Sequence, residues 1–274
     1  MAHVVSAEAE AILDKEFPVL DKGFVRLVDY LGGDARIVAA ARVSYGTGTK
    51  TVRQDNNLIR YLMRNGHTSP FEQVILTFHA KLPIFVARQW VRHRTARLNE
   101  ISGRYSVLAS EFYVPSSEGV RKQSARQKQG RSDEELTPET QKRVLEVLKR
   151  DQDLLYRDYE KFLEDGVSRE LARINLPLSV YTEWYWQIDL QNLFHFLKLR
   201  IDQHAQLEFR EYAKVIGEMA RAVAPVAYAA FEEHVLFGVQ LSRSTANIVR
   251  ELLEPLAAES PDAAKAIENL KERR

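Results

Sequence analysis

Residues 180–188 read VYTEWYWQI, and this stretch decides the fold. Val180, Thr182, Trp184, Trp186 and Ile188 alternate with Tyr181, Glu183, Tyr185 and Gln187. A period of two sends the two sets to opposite faces of a β-strand. VILTFH at residues 74–79 alternates in the same way, with Val74, Leu76 and Phe78 against Ile75, Thr77 and His79. Trp184 and Trp186 share one face, which reads as core or subunit interface. Around the two strands the signals are helical. Helices are expected over 34–43, over 55–65 with Gly66 as the stop, and from Thr137-Pro138 to Gly166 as the longest. Further helices are expected over 192–201 and 205–222, from Ser242 to about 253, and peripherally over 259–274. Helices and strands do not alternate regularly, so the expected class is α+β with a small, mainly antiparallel sheet. The chain reads as one domain over 1–274, with its core at about 20–237. The polar segment 116–136 reads as a poorly ordered surface loop.

Of the 274 residues, 45% are hydrophobic, enough for a substantial core. Lys and Arg number 39 against 38 Asp and Glu, a balance unlike that of a general polyanion binder. Any anion site must therefore be local. The absence of cysteine excludes disulfides, thiolate metal centres and a Cys nucleophile. No signal-like run or stretch of about 20 apolar residues is present, so a cytoplasmic protein without a membrane partner is expected.

The local anion site has an obvious candidate. Residues 81–104, KLPIFVARQWVRHRTARLNEISGR, carry six basic residues (Lys81, Arg88, Arg92, Arg94, Arg97 and Arg104) against Glu100 alone. A helix over 84–94 would place Arg88 with Arg92, and Gln89 with His93, four apart on a shared face. Cations at a helix C-terminus are commonplace, but six converging ones favour a site over dipole compensation. Ser102-Gly103-Arg104 offers a hydroxyl, unobstructed backbone and a bidentate fork, a set suited to a phosphate monoester. No dinucleotide or Walker fingerprint exists, and Gly46-Thr47-Gly48 before Thr49-Lys50 has the wrong spacing.

Arg92-His93-Arg94, seven residues, Ser102 and then Arg104 resemble the signature of the flavin-dependent thymidylate synthases, here RHRTARLNEISGRY. Upstream, DKGFVRLVDYLG, AARVS, YLMRNGHTSPFEQ and PIFVARQW are similar to family segments, in the family order. Downstream, ELARINLPLSVYTEWYW and DLQNLFHFLKLRIDQHAQLEFREYA extend the resemblance, which covers about 20–230. It implies the family's α+β fold, a homotetramer with active sites shared between subunits, and bound FAD. It also implies conversion of dUMP to dTMP, with methylenetetrahydrofolate and NADPH as co-substrates.

By matching position, the resemblance implies flavin contacts from Ser69, Arg92, His93, Arg94, Glu100, Asp189, Leu190, Gln191 and His195. It implies dUMP contacts from Gln89, Trp90, Val91, Arg92, Glu100, Ile101, Ser102, Gly103, Arg104, Arg173 and Arg200. Arg200 is the implied catalytic residue, favouring the ionised N3 of the uracil ring, and His67 and Tyr105 fall in the flavin and folate vicinity. The missing cysteine agrees, because the covalent route to activating uracil C5 is closed and polarisation must serve instead. Ser102 then reads as a ligand to dUMP, with no sequence partner to make it a nucleophile.

Two other classes compete. A nucleic-acid-binding module would use the Arg88 to Arg104 cluster with Trp90 and Tyr105 as stacking groups. A metal-dependent hydrolase would draw on His67, His79, His93 and His204. His204 and Glu208 lie four apart, but two ligands without a third are usually accidental, so no metal is expected.

Overall fold

The two alternating stretches lie side by side in one sheet. The computed structural model describes residues 5–43, 52–125, 128–258 and 260–272. Gly46-Thr47-Gly48 and Thr49-Lys50 lie outside the described residues. The strands are β1 (Glu16–Val19), β2 (Gly23–Leu31), β3 (Ile75–Pro83), β4 (Arg97–Glu100), β5 (Arg121–Gln123), β6 (Arg131–Glu135) and β7 (Tyr181–Asp189). The helices are α1 (Ala7–Glu10), α2 (Asp34–Arg42), α3 (Val52–Arg64), α4 (Ile84–Trp90), α5 (Pro138–Glu164) and α6 (Arg169–Ala172), followed by α7 (Leu190–Arg200), α8 (Leu207–Val223), α9 (Pro225–Phe231), α10 (Arg243–Leu253) and α11 (Pro261–Glu272). The chain divides into two compact units, Met1–Phe231 and Glu232–Arg274.

In the first unit the main sheet runs β1-β2-β3-β7-β4, with every pairing antiparallel. The fold class is therefore α+β, as expected. Phe78 pairs with Trp186 and Ala80 with Trp184, so the large and small side chains of β3 and β7 share the buried face. Trp90 of α4 inserts edge-on between Trp184 and Trp186, at ring centroid distances of 5.3 and 5.2 Å. Phe196 of α7 and Phe209 of α8 close over it at 5.3 and 5.5 Å. All five rings are buried, so the tryptophan pair is core.

Local chemistry sets the helix ends. Thr137 caps α5 by accepting from the Thr140 amide, Pro138 follows, and Gly166 with φ of 82° stops the chain beyond it. Gly66, with φ of 68°, serves the same purpose after α3. Asp189 caps α7, accepting from the Asn192 amide at 2.9 Å and its side-chain nitrogen at 2.7 Å.

Two expectations need correction. The helix expected over 84–94 stops at Trp90, because burial of that indole fixes α4 while the polar residues after it turn outward into β4. Arg92 and His93 therefore lie in the turn beyond α4, not on a helical face with Arg88 and Gln89. The segment expected to be a loose loop, 116–136, contains the β5–β6 hairpin. Its sequence gives no apolar signal because polar pairs hold it: Arg121 Nη1 donates to the Asp133 carbonyl at 3.0 Å, and Lys122 Nζ to Glu134 Oε2 at 2.9 Å.

In the second unit Ser242 caps α10, accepting from the Thr245 amide, and α11 buries Ala263 and Ile267. Among the described residues no helix is long and apolar enough to cross a membrane.

Candidate active site

Arg200 ends α7, and its Nε donates to Nε2 of His93 at 2.9 Å. Its guanidinium lies 4.8 Å above the Phe209 ring, and Phe196 packs edge-on to His93 at 4.9 Å. Accepting that hydrogen bond requires Nε2 to be unprotonated, so His93 is neutral with its proton on Nδ1. Burial, the nearby Arg200 charge and His195 together lower the His93 pKa to about 4. Burial also lowers the pKa of Arg200, which as a guanidinium stays charged at neutral pH. The pair presents a half-desolvated cation whose Nε is occupied and whose two terminal amino groups can face an acidic imide.

The surrounding groups come from several elements. Gln89 of α4 donates through its amide to Gln206, just before α8. Glu100, at the end of β4, accepts from Thr182 Oγ1 at 2.6 Å, while the Ile101 amide donates to the Glu183 carbonyl at 2.9 Å. Ser102 opens a turn, its carbonyl accepting from the Tyr105 and Ser106 amides and its Oγ from the Arg104 amide at 3.3 Å. Gly103 is buried against Arg173, and a Cβ there would come within 3.0 Å of Arg173 Cδ. Arg104 reaches Glu170 at 3.1 Å. Thus Ser102, Gly103, Arg104 and Arg173 form one neighbourhood, and His93, Arg200 and His195 another.

Other expected residues have mixed placements. Trp90 is wholly buried, so any contact it makes with a ligand runs through its backbone, and it cannot stack on a base. That removes one of the two stacking groups from the nucleic-acid reading. Leu190 is likewise buried, and Asp189 spends its carboxylate on capping. Gln191 is half-buried, while Val91, Ile101, Arg92, Arg94, Tyr105 and His195 are exposed. The Thr95 hydroxyl donates to Asn192 at 2.9 Å, tying the Arg92–Arg94 turn to the start of α7. His67 is exposed and edge-on to Tyr61. Ser69 lines a cleft of about 410 Å³ with Arg36, Pro70 and Gln73. The adjacent Phe71 packs on Phe194 of α7, so this loop also leads to that helix.

The histidines of the hydrolase reading have separate partners: His79 meets Arg26 and Glu183, His93 meets Arg200, and His204 meets Asp202. Sequence reasoning missed Gln206, Phe209 and Thr182 as supports of the site. None carries a local signal, since each matters only through a partner brought to it by the sheet and the α7–α8 packing.

Residues 26–226 match the family described as thymidylate synthase complementing protein. The chain belongs to that family. Every expected site residue falls inside the matched range, whereas α10 and α11 lie beyond it. Among its relatives, a flavin-dependent thymidylate synthase of Treponema denticola is 61% identical over 241 residues, covering 88% of this chain and 91% of the relative. One from Treponema pallidum is 57% identical over 273 residues, covering 99% and 90%. Among solved structures, a UMP/dUMP methylase, PolB from Streptomyces cacaoi, bound with 5-Br dUMP, is similar at a TM-score of 0.72 and 32% identity. That likeness covers 79% of this chain and 97% of the methylase.

Proposed function

We propose that this member of the thymidylate synthase complementing protein family makes dTMP from dUMP by reductive methylation, without a cysteine nucleophile. The observation that carries the reading is the Arg200–His93 pair, a cation set against a neutral imidazole and floored by Phe209. Uracil C5 is a poor nucleophile, and a guanidinium facing N3 and O2 stabilises the ring anion whose charge reaches C5. Arg200 therefore activates the ring, and His93 sets its direction. Ser102, Gly103, Arg104 and Arg173 hold the phosphate. Ser102 acts as a ligand: its Oγ accepts from the Arg104 amide, which does nothing to remove a proton from it.

The donor set fits a flavin. Exposed Arg92 and Arg94 flank His93, whose neutral ring keeps Nδ1–H as a donor, Gln191 and His195 stand on α7, and Ser69 and Glu100 are the other polar groups this reading gives to the flavin. When bound and reduced by NADPH, FAD would supply the hydride that converts the methylene unit transferred from methylenetetrahydrofolate into the methyl group. In this reading His67 and Tyr105 are assigned to the flavin and folate.

The working form in this reading is a cytoplasmic homotetramer with shared sites, built on one catalytic domain with peripheral ends. Ile101, Tyr105 and Ile174, chain neighbours of the proposed phosphate ligands, are all exposed in the single chain, as expected of surface that a second copy covers.

The test is the visible absorption spectrum of the purified protein before and after anaerobic NADPH, with and without dUMP, followed by a dTMP assay. Flavin bands that bleach, together with dTMP formation, are expected. A colourless protein that FAD cannot reconstitute would sink the flavin assignment and leave an anion site to be explained.

A further inference from the structure

The β5–β6 hairpin is not needed to build the main sheet, yet it sends one side chain into the protein. Arg131 Nη2 of β6 meets Glu208 Oε1 of α8 at 2.5 Å, and Arg131 Nη1 donates to the Gly119 carbonyl at 2.7 Å. Glu208 is 3% exposed, and Tyr113 donates its hydroxyl proton to the same oxygen at 3.1 Å. Burial by itself would raise the Glu208 carboxyl, but the hydrogen bond from Arg131 helps to outweigh it and the group is held low, as a carboxylate. The neighbours of Glu208 give this pair its reach. Gln206 bonds the Gln89 side chain, and Phe209 is the floor beneath Arg200.

We infer that Arg131 and Glu208 are positioning residues for dUMP, a clasp through which the hairpin fixes the first turn of α8 and with it Gln89 and Arg200. The inference rests on the reading of Gln89 and Arg200 as dUMP contacts. A carboxylate this deeply buried that loses its cation is left uncompensated, which loosens the first turn of α8 that carries it. Small displacements of a binding group are amplified in turnover, so the loss is read in substrate kinetics.

The test is steady-state dTMP formation by the FAD-loaded enzyme with dUMP varied. Arg131→Met should raise the dUMP KM about tenfold with flavin content unchanged. Adding Glu208→Gln to Arg131→Met should bring KM back to within about twofold, because no charge is then left buried alone. Lys122→Ala, which breaks an exposed pair of the same hairpin, should leave KM unchanged. A merely structural clasp would lower the thermal midpoint and leave KM alone, and that result overturns the inference. So does a double variant more impaired than Arg131→Met. Should Arg131→Met fail to fold, Tyr113→Phe removes one hydroxyl and reads the same coupling: a raised KM supports the clasp and an unchanged one overturns it. Arg200→Lys is run alongside. If it leaves dUMP kinetics untouched, the site reading fails and the clasp with it; if it impairs them while Arg131→Met does not, the clasp alone fails.

Discussion

Arg200 and His93 join the C-terminal end of α7 to the turn after α4 through a single hydrogen bond that only a neutral imidazole can accept. The guanidinium is thus held by a group whose own protonation would expel it.

The sign of the resulting pH effect follows from the direction of the His93 shift, from an ordinary 6.5 to about 4. Between those values the unfolded chain binds a proton that the folded chain refuses, so stability should fall as pH drops from about 6.5 to about 4 and then level off. For this half-buried group the loss should be at most about 2 kcal/mol. Urea unfolding across this range for wild type and His93→Gln checks it: the variant should lose that part of the slope. An identical slope in both proteins would show that another group is responsible.

Arg200→Ala removes the cation while leaving the turn that holds Arg92 and Arg94. Flavin content should stay near that of wild type, and dTMP formation should fall by about a hundredfold or more. Single-turnover assays on flavin-loaded protein decide the matter, and wild-type turnover would remove Arg200 from the chemistry.

The Arg104–Glu170 pair is exposed on both sides, so it contributes at most about 1 kcal/mol. Glu170→Ala should therefore cost no measurable stability, and by freeing Arg104 it should lower the dUMP KM by up to about threefold. The gain should shrink as salt is added. An unchanged KM at low salt would argue that Arg104 does not meet the phosphate.

Trp90 offers the opposite test, a residue inside the basic window whose side chain belongs wholly to the core. Trp90→Ala should destabilise the protein by about 3–5 kcal/mol, whereas Arg94→Ala should alter flavin content at near wild-type stability. Thermal unfolding beside the visible spectrum separates the two. A Trp90→Ala protein as stable as wild type would contradict its place between Trp184 and Trp186.

The sheet was legible where burial is one-sided. In β7 and β3 every second residue enters the core, so period two survives in the sequence. β4 carries no such pattern, since Arg97, Leu98, Asn99 and Glu100 are all exposed, and only pairing with β7 makes them a strand. In β2 the alternation of Val25 and Leu27 is broken by a register shift before Asp29. The site divides similarly. His93, Ser102 and Arg104 stand close together in the chain and form a motif. Gln206 and Phe209 matter only because α8 returns over α4, and nothing beside them in the sequence announces it. Asp189 carries a second signal that the motif did not announce, a carboxylate that starts a helix.

The pairing of Ile75 with Asp189 at one end of β3–β7 and Pro83 with Tyr181 at the other has a consequence for synthesis on the ribosome. β2 and β3 emerge early and can pair, but the other edge of β3 has no partner, and the face with Leu76, Phe78 and Ala80 lacks the tryptophans of β7, until translation has passed Asp189. For that interval the nascent chain carries an open, adhesive strand, and its central partner arrives only after the whole of α5 has been made. Slow codons or chaperone capture between β3 and β7 should therefore alter the yield of folded enzyme.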